Sequence, residues 1–193
     1  MKNYLWTLLI LILLISCGQS GKEKISQIDK AMELNSTNNF STNSNDSINS
    51  LMISRNEDLK DEFKNFKIFN LNIPIIGDFN GDKIDDRAEY KNVGGQSGIT
   101  ITDGKTKRIV RLGFGERLGL MTDFNWVNYW GLLKDSTTTK INVDENTGDI
   151  IGGVDFKLDN VSIFVRVDKS EDSSGGGVIT YKDKQYIWIQ QSE

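Results

Sequence analysis

The sequence predicts an all-β domain built from antiparallel sheets and preceded by a disordered N-terminal tether. Two observations from composition and one from pattern lead there. The chain holds 1 proline against 18 glycines in 193 residues, which suits short strands joined by tight turns. Before about Asp61 the residues are mostly Ser, Asn, Thr and Lys, with too little apolar surface to repay the entropy of ordering. After it, short runs rich in Ile, Val and aromatics alternate with Asp, Asn and Gly clusters, the rhythm of strand and turn.

Taken in order, the first element is an apolar run from Leu8 to Ile15 behind Lys2. It is too short to cross a bilayer core of about 30 Å and has the size of a signal-peptide core. Leu14-Ile15-Ser16-Cys17 resembles a bacterial lipobox. The resemblance implies that residues 1–16 are a lipoprotein signal peptide and that Cys17 becomes a diacylated first residue. Acyl chains contribute about 0.8 kcal/mol per buried CH₂, so such a cysteine would anchor the protein stably to a membrane of the bacterial cell envelope, on an outer-membrane, periplasmic or surface face. Residues 17–60 read as a flexible polar tether, and residues 61–193 as the β-rich domain. At their junction Glu57–Phe66 has Leu59, Phe63 and Phe66 spaced for one face of a short amphipathic helix, or is simply the entry segment of the domain.

Strands are expected at Ile73–Ile76, Arg87–Lys91, Gly98–Thr102, Arg108–Leu112, Lys140–Val143, Ile150–Leu158, Ser162–Val167, Gly177–Tyr181 and Gln185–Gln190. Asp103-Gly104, Asn146-Thr147-Gly148, Asp159-Asn160 and Lys182-Asp183-Lys184 supply turns between them.

The chemistry concentrates in Gly77-Asp78-Phe79-Asn80-Gly81-Asp82-Lys83-Ile84-Asp85-Asp86. Oxygen donors alternate there: Asp78, Asn80, Asp82 and Asp86 at loop positions 1, 3, 5 and 9, with the Ile84 carbonyl at 7. A hard cation such as Ca²⁺ takes six to eight oxygens from a loop of this kind. The run resembles the calcium loop of FG-GAP and VCBS repeats, found in β-propeller blades of envelope and secreted proteins, and that likeness implies a Ca²⁺ site and a blade-like unit near residues 72–112. Position 6 departs from the pattern: Lys83 stands where glycine is wanted, at a cost on the order of 1 kcal/mol if the backbone is left-handed. Glu89, at position 12, is a possible sixth ligand. The alternative is a polar turn that holds no metal.

Asp123-Phe124-Asn125 echoes the loop, but Val127 at its fifth position removes the donor, and Asp144, Asn146 and Asp149 read as a hairpin turn. The ~130 residues available cannot close a seven-bladed ring. Phe124, Trp126, Tyr129 and Trp130 form one aromatic cluster and Tyr181, Tyr186 and Trp188 another, fit either for core packing or for stacking on a sugar or anchoring a protein. Gly175–Gly177 could cradle an anion or allow close approach of strands. The closing segment from Gly175 to Gln191 is similar to the final hairpin of calcium-loop lipoproteins of flavobacteria and their relatives, including a group that resembles periplasmic lysozyme inhibitors.

Composition also excludes. With no histidine and a single cysteine there is no Ser-His-Asp triad, Cys-His dyad, His-ligated zinc or Cys-rich zinc site. The net charge of −4 argues against nucleic acid, and neither a dinucleotide fingerprint nor a Walker A loop is present, so no nucleotide is expected. Lys105, Lys107, Arg108, Arg111 and Arg117 read as solvated strand faces. The expectation is therefore a lipid-anchored envelope protein that acts by binding a protein or glycan partner and not by catalysis, inhibition of a cell-wall hydrolase being one form of that role; the alternative is a glycan hydrolase working with two carboxyl groups.

Overall fold

The computed structural model describes residues 40–144, 146–170 and 175–191. A helix, α1 (Phe40–Lys60), precedes β1 (Phe66–Phe69), β2 (Ile75–Gly77), β3 (Asp86–Val93), β4 (Gln96–Thr102) and β5 (Ile109–Gly113). Then come β6 (Tyr129–Leu133), β7 (Thr137–Val143), β8 (Ile150–Lys157), β9 (Ser162–Arg166), β10 (Gly176–Lys182) and β11 (Gln185–Gln191). All pairings between these strands are antiparallel, so the domain is all-β apart from its leading helix. They form a five-stranded sheet in the order β1-β6-β9-β10-β11, a four-stranded meander β2-β3-β4-β5, and a two-stranded ribbon β7-β8.

The N-terminal boundary differs from the sequence expectation. The compact unit opens at Ser47, not Asp61, and α1 occupies much of the stretch read as tether. Composition hides this helix because tertiary contacts hold it, as they do most helices in proteins. Leu59 is buried, and Arg55 pairs with Asp168 at 2.7 Å. The helix ends at Lys60, beyond which the Phe63 N–H donates to the Leu59 carbonyl at 2.8 Å. Leu59 and Phe63 do share a buried face, but Phe66 opens β1 instead of extending the helix.

The five-stranded sheet is covered on both sides, and strand alternation sorts its side chains between two cores. Trp130, Leu132, Ile163, Val165, Ile179 and Trp188 point toward the meander and meet Ile75, Ile99, Ile101 and Leu112. Their neighbours Tyr129, Leu133, Phe164, Val178 and Ile189 point the other way, onto Leu59 and Phe63. Burying each of the larger aliphatic or aromatic side chains contributes about 1.5–3 kcal/mol. The aromatic clusters thus serve mainly as core: Phe124 and Trp130 are inaccessible, and the Trp130 Nε1–H donates to the Asn70 carbonyl at 3.0 Å. Gly131 in β6 is required, since a Cβ there would lie 2.1 Å from the Phe164 ring and 2.4 Å from the Lys67 carbonyl.

One charge enters the second core. The Arg166 guanidinium donates to Glu62 at 2.6 Å and to Gln191 at 2.7 Å, and lies over the Phe63 ring. Gly176 makes room for it, because a Cβ would come within 2.6 Å of Arg166 Nη1 and 2.2 Å of the Val165 carbonyl. Close approach of strands, not an anion cradle, is therefore what Gly176 provides.

Tyr129 stands beside this cluster, with Arg55 over its ring. Burial pushes its phenol up to about 12. A phenol with a folded pKa above its unfolded value of about 10 contributes stability that is intact below pH 10 and lost as pH rises toward 12, a total of about 2–3 kcal/mol. Tyr129→Phe is expected to flatten the fall in stability over that interval, measured as urea midpoints at about pH 9 and about pH 11.5.

Candidate functional site

The Asp78–Asp86 loop joins β2 to β3, whose last pair, Gly77 with Asp86, forms the base of the hairpin. Its conformation is set from within. Asp78 accepts from the N–H groups of Gly81 at 2.7 Å, Asp82 at 3.0 Å and Lys83 at 2.8 Å. Asn80 Oδ1 accepts from Asp82 N–H at 2.9 Å, and Asp82 Oδ1 from Ile84 N–H at 2.9 Å. Two residues adopt left-handed backbone to allow it, Gly81 at φ 80° and Lys83 at φ 71°. Lys83 thus takes the conformation that glycine would hold at that position without strain.

Asp86 closes the loop from below. Its carboxylate is almost fully buried and accepts from the N–H of Phe79 at 3.1 Å and of Gly104 at 2.8 Å. Burial raises its pKa, against the lowering effect of those two bonds. The loop is gripped from two further sides. A Cβ on Gly104, in the β4–β5 turn, would sit 2.0 Å from the Asp85 carbonyl oxygen, and one on Gly81 would sit 2.3 Å from Asn160 Oδ1. Neighbouring backbone and the β8–β9 turn therefore fix its position.

Among the described residues no group of three or more His, Cys, Asp or Glu is gathered so as to hold a metal ion. The predicted set is broader, including an amide and a main-chain carbonyl, and each of its side-chain oxygens that accepts an N–H belongs to a group with lone pairs left over: a carboxylate offers about four acceptor sites and an amide oxygen two. The donors are all hard oxygens, the type suited to Ca²⁺. Glu89 is engaged elsewhere: it pairs with Lys91 at 2.9 Å and Arg87 at 3.1 Å, and the hydrogen bond from Lys91 is the main cause of its lowered pKa. Cys17 lies outside the described residues. The Asp123 echo is a turn, its carboxylate accepting from Asn125 N–H at 3.0 Å, and Asp144 likewise accepts from Asn146 and Thr147.

A cleft of about 280 Å³ adjoins the loop, and sequence reading did not anticipate it. It opens between β5 and the β10–β11 hairpin, the meander supplying Ile101, Val110 and Leu112 and the hairpin supplying Tyr181 and Tyr186. The two tyrosines meet edge to face with centroids 5.0 Å apart, and burial raises the Tyr186 pKa. Arg108 and Lys184 stand at its sides. Asn80 and Asp103 belong both to its lining and to the support of the loop, since Asn80 Nδ2 donates to Asp103 Oδ2 at 3.1 Å. Asp103 also accepts from Lys105 N–H at 2.9 Å and Thr106 N–H at 2.6 Å, and the Thr106 bond is the first cause of its lowered pKa. The basic stretch splits: Arg111 stacks over Phe114, Arg117 caps the Gly119 carbonyl, and Arg108 faces the cleft.

No family model, curated protein or solved structure matches the chain.

Because Gly104 touches backbone and not a flexible side chain, Gly104→Ala is expected to cost on the order of 1–3 kcal/mol. Faster hydrogen exchange at the Asp82, Lys83 and Ile84 amides should accompany the loss; unchanged exchange there would mean the turn does not hold the loop.

Proposed function

We propose that the chain is a lipid-anchored bacterial envelope protein that acts by binding a protein or glycan partner, with the cleft beside the Asp78–Asp86 loop as its recognition site. The observation that carries this reading is the sharing of Asn80 and Asp103 between loop and cleft, which makes the order of one a condition for the shape of the other. Pre-organised walls lower the ordering cost of association. The resemblance of the closing hairpin to lysozyme-inhibitor-like lipoproteins makes a cell-wall hydrolase the first partner to try.

In this reading Asp78, Asn80, Asp82, Asp86 and the Ile84 carbonyl hold Ca²⁺, whose charge would offset the mutual repulsion of the three ligand carboxylates. The protein's own part is to keep those oxygens in place, through the Gly81, Lys83 and Gly104 backbone. Anchoring falls to Cys17.

The catalytic alternative requires an acid and a base facing one substrate. Asp86 and Asp103 are the neighbouring carboxyls whose pKa values move apart. Yet Asp86 is almost fully buried and bonded through both oxygens to N–H groups, which leaves it no path to a glycosidic oxygen. That favours binding over hydrolysis.

Three measurements test the proposal. Ca²⁺ at a hundredfold excess over a Kd of about 10⁻⁴ M should stabilise the protein by about 2.7 kcal/mol, and Asp82→Ala should abolish the gain. An unmoved melting curve with no calorimetric heat would reduce the loop to a turn. Cys17→Ser should abolish partition into detergent. Pull-downs from envelope extract should retain a partner that weakens with Asp82→Ala, whereas turnover of a glycan that vanishes on replacing one carboxyl outside the loop would overturn the binding reading.

A further inference from the structure

The cleft lies along β5, the edge strand of the meander, beside the turn end of the β10–β11 hairpin. Its floor is the exposed end of the core between them. Ile101 and Leu112 are buried there, and Val110 and Tyr186 are half-buried against the same core. An apolar floor favours a compact apolar group over a polar one, which would lose its water without finding partners.

The sides carry charge that the fold does not use. Several basic side chains elsewhere are engaged, Arg55 with Asp168, Arg87 and Lys91 with Glu89, Lys157 with Asp159 and Arg166 with Glu62, while others on the open surface are not. Among the described residues neither Arg108 nor Lys184 makes an ion pair, a ring contact or a side-chain hydrogen bond. Asp103 is the carboxylate lining the cleft, and it is already occupied by two turn amides and Asn80. Within the lining two cations stand against one anion; Asp78 and Asp86 of the adjoining loop also act on Tyr186, so the excess positive charge is local to the Arg108–Lys184 rim, where it complements a monoanion. The volume, about 280 Å³, lies just below the ordinary range for small-ligand pockets of about 300–1,000 Å³ and suits one residue-sized group.

We propose that this cleft binds a carboxylate borne on a compact branched or aromatic apolar body, met at the rim by Arg108 and Lys184 and seated on Ile101, Val110 and Leu112. The inference rests on the reading of the chain as a binding module and narrows what that module takes. The same chemistry is presented by a free apolar acid and by the C-terminal residue of a polypeptide, whose backbone could also pair with a free edge.

The test is an NMR titration of the full chain carrying Cys17→Ser, using N-acetyl-leucine, N-acetyl-leucinamide and the peptide acid acetyl-Ala-Ala-Val-Leu, each to about 10 mM. N-acetyl-leucine should saturate, shifting the Tyr186 and Val110 resonances, and the uncharged amide should bind about tenfold more weakly, as expected for loss of one charge-assisted contact. Arg108→Gln and Lys184→Gln should each weaken the acid by at least about fivefold, and Lys105→Gln, outside the cleft, should not. Tighter binding of the peptide acid assigns the site to a polypeptide C-terminus; binding no tighter than acetyl-leucine assigns it to a free acid. Equal affinity for acid and amide, shifts outside the cleft, or no saturation with any probe would overturn the proposal. A partner retained in pull-down despite such a result would leave the binding module standing and only this ligand class refuted; loss of the partner as well would remove both.

Discussion

Everything in this domain is arranged around a sheet that has no wet face. Apart from positions such as Lys67 and Gln185 at its edges, the five strands β1-β6-β9-β10-β11 place their side chains in one of two cores, so that Trp130 and Tyr129, or Trp188 and Ile189, leave the same strand in opposite directions into different packing. Such a sheet tolerates little variation in size. Gly131 exists because Phe164 fills the space its side chain would take, and Gly177 because Trp188 comes within 2.3 Å of where a Cβ would be. Once two faces are dry, two covers are required. The meander supplies one, and α1 with Phe63 helps supply the other, which is why a helix of polar composition belongs to the fold at all.

The loop between β2 and β3 is a product of the same tight packing. The side chains of Asp78, Asn80 and Asp82 each accept from N–H groups of the loop itself, and Asp86 brings a charge-bearing group to the edge of the core, where bonds from Phe79 and Gly104 offset part of the desolvation. An acceptor so surrounded orders both the loop above it and the β4–β5 turn beside it. The cleft inherits that order through Asp103.

How much of this was legible in the sequence depends on the range of the interactions involved. The meander and the β10–β11 hairpin were readable because turn chemistry is local: Asp103-Gly104 and Lys182-Asp183-Lys184 fall where the chain reverses. Strand β6 was not, since all five of its positions are buried and no alternation survives, and Phe66, which opens β1, reads in the sequence either as part of a helix face with Leu59 and Phe63 or as the entry segment of the domain. Of helix α1 the sequence shows only the last turn, where Leu59 falls within Glu57–Phe66; the rest has the composition of a disordered segment. At the site, the alternating oxygens from Asp78 to Asp86 stood out within one short run. The cleft did not, because it assembles Asn80, Arg108 and Lys184 from segments far apart in the chain, and only the register of two sheets brings them together.

The order in which the strands are joined has a kinetic meaning. Strand β1 pairs only with β6, so Phe66 waits for Leu133, while the whole meander lies in the intervening chain with nearest-neighbour pairing throughout. The meander can close early, through short loops, whereas the five-stranded sheet needs β9 and β10 before either of its faces is covered. Non-local pairing of this kind slows folding. As the chain is synthesised, β1 therefore stays without its partner until β6 has emerged, and the sheet is complete only when Gly176–Gln191, the β10–β11 hairpin, has joined it.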